Sequence, residues 1–217
     1  MKYILLAVVA FLLDGGSRLN ASSSSPEARP SVDILGAVSA ANIYIRGMLK
    51  RNGFYVAWAG LTRFNNNEPR RWITVWYPEA NNSKAAGEIL VVSIETRGNN
   101  MLISKVDNPF GFGNLGKTDK TIGIGAALKS ANKFASKMGY SVNHYVYRAG
   151  LGKFSGSEAV YWIVCWWPEV DAENNYTWPV VAVNMKGEPA VVDEPITWLP
   201  ISKIDVPSRA FVPPPDR

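Results

Sequence analysis

The sequence predicts an α+β protein in which a unit of one helix followed by an antiparallel β-meander occurs twice in tandem. Two observations lead to this fold class. Three blocks of residues recur in the same order at a near-constant spacing. In both halves, an apolar stripe at helical spacing precedes runs of β-branched and aromatic residues separated by turn residues. We expect the two copies to pack with approximate two-fold symmetry.

The recurring blocks define the repeat. Two of them recur after 90 residues: Ala59–Phe64 as Ala149–Phe154, and Trp72–Glu79 as Trp162–Glu169. The third, Val91–Gly98, recurs after 89 residues as Val180–Gly187. Such ordered self-similarity is the mark of an internal repeat.

The N-terminal segment predicts export. Lys2 is followed by an apolar run that ends at Leu13, too short to span a bilayer and typical of a signal peptide, with cleavage after Ala21. We therefore assign residues 1–21 to a signal peptide and 22–32 to a Ser/Pro-rich spacer. The mature protein is then secreted or periplasmic and has no membrane anchor.

The first copy occupies residues 33–106 and the second 121–200, followed by a Pro-rich tail over 201–217. Each copy opens with a helix that ends near a glycine, Gly53 in one and Gly139 in the other, expected as left-handed caps. Aligning these glycines gives a spacing of 86 residues, which predicts about four extra residues in 140–148 of the second copy. The predicted strands are Phe54–Phe64, Trp72–Tyr77, Ile89–Arg97 and Met101–Val106, then Val142–Phe154, Tyr161–Trp167, Val180–Lys186 and Ala190–Val192.

The linker between the copies, residues 107–120, contains a formal phosphate-loop pattern over Gly111–Thr118. A true phosphate loop joins a strand to a helix in a parallel sheet, whereas the repeat makes this segment a connector between antiparallel units. Export also removes the protein from the nucleotide pool. A nucleotide-binding enzyme that uses residues 111–118 is therefore only a remote alternative.

Other reactive side chains are sparse. A single Cys excludes an internal disulfide framework, and with one His the sequence predicts no metal site, no cofactor and no enzyme. Cys165 matches Val75 of the first copy and is predicted to be a buried small hydrophobe, while His144 is predicted to be a polar strand residue. Glu79 and Glu169 are expected in solvated loops.

Two sequons, at Asn81 and Asn175, fall in the loop after each Pro-Glu pair, and whether they carry glycan is left open. The net charge of +5 comes from scattered residues rather than basic runs, so no nucleic-acid partner is expected. The sequence thus favours a secreted, non-catalytic binding protein whose partner is a protein or glycan of the extracellular or periplasmic space. The alternative is an inhibitor of an extracellular enzyme.

The order of a helix and an antiparallel meander resembles that of cystatin-like and PepSY-like domains. The resemblance is one of architecture only, because the chain has no Gln-x-Val-x-Gly segment of the cystatin type. No functional residue follows from it.

The middle strands place two tryptophans of each copy, Trp72 with Trp76 and Trp162 with Trp166, on one sheet face. The opposite face carries Ile73 and Val75, or Ile163 and Cys165, and we assign this face to the helices because its side chains are small. The four tryptophans then either pack against each other where the two sheets meet, or form an exposed aromatic binding platform.

Overall fold

The computed structural model describes residues 31–62, 70–79, 82, 87–97, 100–107, 122–139, 144–154, 158–168, 180–192 and 196–198. Within these ranges it contains two helices and nine strands. Their bounds are α1 Ile34–Gly47, β1 Phe54–Thr62, β2 Arg71–Pro78, β3 Leu90–Arg97, β4 Asn100–Val106, α2 Ile124–Lys137, β5 His144–Phe154, β6 Tyr161–Pro168, β7 Val180–Asn184, β8 Pro189–Val191 and β9 Ile196–Trp198.

The strands form one antiparallel sheet in the order β4-β3-β2-β1-β5-β6-β7-β8, with β9 paired to β5. The predicted α+β class is confirmed. None of the helices in the described ranges has the length and hydropathy to cross a membrane.

The two predicted meanders meet at a short seam between β1 and β5. Three residue pairs are in register across it: Trp58 with Gly150, Ala59 with Ala149, and Gly60 with Arg148. The expectation of two sheets that meet face to face is therefore wrong. The sheets join edge to edge through backbone hydrogen bonds, which leaves β4 and β8 at the two ends of the strand order.

The helices begin and end 90 residues apart, at Ile34 and Ile124 and at Gly47 and Lys137. The predicted spacing of 86 residues, and with it the four-residue insertion, is wrong because it used Gly53 as a helix cap. Helix α1 is capped by Met48, and Gly53 lies directly before β1 with a left-handed φ of 70°. Gly139 does follow the C-cap of α2, with a φ of 77°.

The helices cover the tryptophan face of the sheet rather than the Ile/Val/Cys face. The indole N–H of Trp72 donates to the carbonyl of Val32, next to the N-cap Asp33, at 2.9 Å. The indole N–H of Trp162 donates in the same way to Ile122, before the N-cap of α2, at 3.1 Å. Our assignment of the faces was wrong because the helices, not the sheet, supply the small residues. Their buried sides are rich in alanine, which leaves room for large indoles beneath them: Ala37, Ala40, Ala41, Ala127, Ala131 and Ala135.

Candidate functional site

The four tryptophans predicted as a binding platform lie in the core. Trp72, Trp76, Trp162 and Trp166 are 1%, 4%, 0% and 2% exposed. The indole of Trp76 donates to the hydroxyl of Thr74 at 2.8 Å. In this arrangement a ligand would have to displace a helix to reach an indole ring, so the predicted binding role gains no support from the geometry.

The outer side of α1 carries three exposed apolar side chains. Leu35 and Ile43 are 44% and 70% exposed, and the C-cap Met48 is 75% exposed. The small residues Ser39 and Gly47 and the charged Arg46 are also exposed on this helix. An exposed helical stripe of this kind marks a contact surface more often than single scattered apolar residues do.

The outer side of α2 is basic. Lys129, Lys133 and Lys137 follow one another at intervals of four residues and are all exposed. Residues four apart on a helix share a face, so the three ammonium groups form one stripe. The described segment around α2, residues 122–139, contains no Asp or Glu. The stripe therefore carries three positive charges with no acidic residue in its own segment, and the exposed Glu188 follows Gly187, whose carbonyl accepts a hydrogen bond from Ser130 of α2.

The two helices lie on the same face of the sheet. Trp72 and Trp162 lie on one face of the continuous sheet, as shown by the register of β1 with β2, β1 with β5 and β5 with β6. Because each indole bonds to the start of its own helix, α1 and α2 lie on that same face. We call the exposed residues of α1 and α2, together with Met48, the helix-side surface. It is the most distinctive candidate site of the described structure.

The opposite face carries a second cluster at the β1–β5 seam. The guanidinium of Arg148 lies 5.7 Å from the centroid of the Trp58 ring and 5.3 Å from that of Tyr147. Both distances are within cation–π range. Trp58 is 3% exposed and Arg148 is half-buried, so this contact packs the centre of the sheet.

Cys165 pairs with Arg148 across β5 and β6 and belongs to the same cluster. Burial raises the pKa of its thiol to about 11, while Arg148 and a hydrogen bond with Tyr147 act in the opposite direction. The pKa of the Tyr147 hydroxyl is raised above its ordinary value, mainly by burial. A protonated, buried thiol is a poor nucleophile, which agrees with the predicted role of Cys165 as a small hydrophobe.

Several other predicted features fall outside the described residues. These are the 111–118 loop, Glu169, the sequon residues Asn81 and Asn175, the segments 1–21 and 201–217, and the side chain of His144. Glu79 is exposed, as expected for a solvated carboxylate. In the ranges that the structure describes, no group of three His, Cys, Asp or Glu side chains could hold a metal ion.

The helix-side surface was not predicted, although the sequence shows a difference between the two helices. The two predicted copies were compared only along their buried apolar stripes. The difference lies on the outer positions, where residues 90 apart change from Ser39 to Lys129, from Ile43 to Lys133 and from Gly47 to Lys137.

No known protein family, curated protein or solved structure matches this chain. A functional assignment therefore depends on the geometry and charge of the described residues.

Proposed function

We propose that this protein is a secreted, non-catalytic binding protein, built by tandem duplication, that holds an anionic partner on its helix-side surface. The duplication accounts for the scaffold, and the divergence of the outer helix positions accounts for the site.

Four geometric features support the duplication and its approximate two-fold symmetry. Both helices have 14 residues and start 90 residues apart. The two indole bonds to the helix starts each span 40 residues. β1 and β5 each have a register shift at the same place, at Val56/Trp58 and Val146/Arg148. Finally, Ala59 pairs with Ala149, the residue 90 positions later, as expected if a two-fold axis passes between them.

The observation that carries the binding function is a contrast between the two sides of the helices. On the buried side, residues 90 apart keep their apolar character: Ile34 and Ile124, Ala37 and Ala127, Ala41 and Ala131, Ile45 and Ala135. On the outer side, the three exposed lysines of α2 stand where α1 has the uncharged residues Ser39, Ile43 and Gly47. Packing constrains the first set and leaves the second free, so the outer residues can be specialised for a partner.

The seam cluster supports a structural role rather than catalysis. Cys165 is buried with a raised pKa, and Arg148 stacks on Trp58 and Tyr147. These contacts stabilise the junction of the two meanders and offer no activated nucleophile.

Export is tested on the full-length chain with its natural N-terminus. In a secreting host, we expect the mature protein in the medium or periplasm and N-terminal sequencing that begins at Ser22. A protein that keeps Met1 inside the cell contradicts the predicted signal peptide.

Binding is tested by retention of the purified protein on immobilised poly-L-glutamate, a defined anionic probe. We expect retention that falls as salt is raised. Lys133→Gln should weaken it, whereas Ser104→Asp, which lowers the net charge by the same amount at an exposed residue on the opposite face of the sheet, should leave it near the wild-type level. Equal effects of the two substitutions would show that net charge, not the helix-side surface, governs binding.

A further inference from the structure

We infer that the anionic partner is a lipid bilayer, with the lysines of α2 over its phosphates and the exposed apolar residues of α1 in its headgroup region. This inference rests on the proposed function, since it names the chemistry of the partner that the helix-side surface binds.

The charge of this surface is strongly positive. Its exposed basic residues number four: Arg46, Lys129, Lys133 and Lys137. Neither helix contains an Asp or Glu. Arg51 lies 3.5 Å from Glu88, and the α2 lysines extend from solvent-exposed positions. Each Lys near an anionic bilayer strengthens partitioning about fivefold, so three act together as a substantial attraction.

The apolar residues select a bilayer over a water-soluble anionic polymer. Ile43 and Met48 are 70% and 75% exposed, the largest exposed fractions among the large hydrophobic side chains that the structure describes. A soluble acidic chain would satisfy the lysines and leave these side chains in water. A bilayer interface accepts both, because helices that lie on membranes combine Lys-rich and apolar sides.

Both helices lie on one face of a single sheet. Each is fixed to that face by a buried tryptophan, through the bonds from Trp72 to Val32 and from Trp162 to Ile122. Ile43 of α1 and Lys133 of α2 occupy equivalent positions in helices of equal length. The exposed apolar and basic side chains therefore extend from the same side of one sheet.

The test is co-sedimentation of the mature protein with vesicles of phosphatidylcholine alone, and of phosphatidylcholine mixed with phosphatidylserine. We expect binding to the mixed vesicles only, weakened at high salt. Lys133→Gln should lower the partition coefficient about fivefold, and Ser104→Asp, an equal change of net charge on the opposite face of the sheet, should leave it nearly unchanged. Ile43→Ser alters no charge and should lower it about tenfold, while retention on poly-L-glutamate stays the same. Circular dichroism checks that each exposed substitution leaves the fold intact.

Three results overturn the inference, and they distinguish its failure from that of the proposed function. If the protein binds poly-L-glutamate in a Lys133-dependent way but ignores both vesicle types, the lipid inference fails and the anionic binding function stands. If neither probe is bound, both fail. Binding to the mixed vesicles that Ile43→Ser does not change also overturns the inference, because the apolar stripe would then have no part in it.

Discussion

Gly60 shows how one missing side chain permits the packing of the seam. A Cβ atom at this position would lie 2.6 Å from Cη2 and 2.7 Å from Cζ2 of Trp58. The indole is 3% exposed and lies under the Arg148 guanidinium, so it cannot move aside freely. Glycine in a strand is often covered by an aromatic ring from the same face, as here.

We expect Gly60→Ala to lower the free energy of unfolding by about 1–3 kcal/mol, the usual cost of overpacking. Because the clash is with Trp58 alone, the same substitution should cost less in a Trp58→Leu background. Urea denaturation of the two single variants and the double variant measures this coupling. Strict additivity of the two effects would contradict the steric explanation.

Cys165 couples stability to alkaline pH. Its pKa is raised by burial from about 9 to about 11, so the folded state favours the neutral thiol. The stability that the buried neutral thiol contributes is fully present below the pKa of the thiol in the unfolded chain, about 9. It is lost as the pH rises toward the folded-state pKa of about 11, because the thiol of the unfolded chain ionises first. Over this window we expect a loss of roughly 2–3 kcal/mol. Cys165→Val introduces the residue found at Val75 and should remove this part of the decline. Urea denaturation at several pH values between these limits tests it, and parallel curves for the two proteins would contradict it.

The two helices are attached to the sheet by equivalent hydrogen bonds. In each, a buried indole of the sheet donates to the carbonyl that directly precedes the N-cap. Trp72→Phe and Trp162→Phe remove the donor and leave a small cavity, because phenyl is smaller than indole. Each should cost about 2–3 kcal/mol from the lost hydrogen bond and the cavity together, and the two costs should agree, since both indoles are buried and make equivalent bonds. Chemical denaturation measures both, with Tyr44→Phe as a control whose lost bond, to the Lys105 N–H, lies in an exposed position. A large difference between the two indole variants would show that the helices are not held alike.

The positions of some helices and strands are easier to predict from the sequence than others. Eight of the nine described strands were located to within about two residues at each end, because alternation of apolar residues is a local signal, whereas β9 was not predicted. The helix spacing was missed because a left-handed glycine before β1 looks the same in sequence as one that caps a helix. The face covered by the helices was missed because close packing depends on which partner supplies the small side chains. In this protein the alanines of α1 and α2 supply them.

On the scale of the whole molecule, sequence could not predict the junction of the two halves. The pairing of β1 with β5 is a contact between residues 90 apart, and nothing local marks which strands become neighbours. The difference between the outer positions of the two helices was visible in the sequence, but their location on one side of the sheet was not. That location depends on the β1–β5 pairing and not on either helix.

The seam also explains why the two halves pair with each other. Trp58 of β1 and Arg148 of β5 lie 90 residues apart in sequence, and in the structure they stack on each other. If each half were produced alone, the exposed first strand could pair with the same strand of a second molecule. A dimer of the first half would bring two Trp58 rings to the seam, whereas a dimer of the second half would bring two Arg148 guanidinium groups together. Like charges at neighbouring strand positions repel, so the native pairing is favoured by this difference.

We therefore expect a fragment of residues 31–107 to dimerise and a fragment of residues 122–200 to remain monomeric at the same concentration. In the second fragment, Arg148→Trp restores the aromatic residue of the first half and should promote dimerisation, while Arg148→Lys keeps the charge and should not. Light scattering after size-exclusion chromatography gives the mass of each species. Mixing the two wild-type fragments should yield a one-to-one complex, because only that pairing places Arg148 over Trp58. A second-half fragment that dimerises as readily as the first would show that the charge of Arg148 does not govern which strands pair.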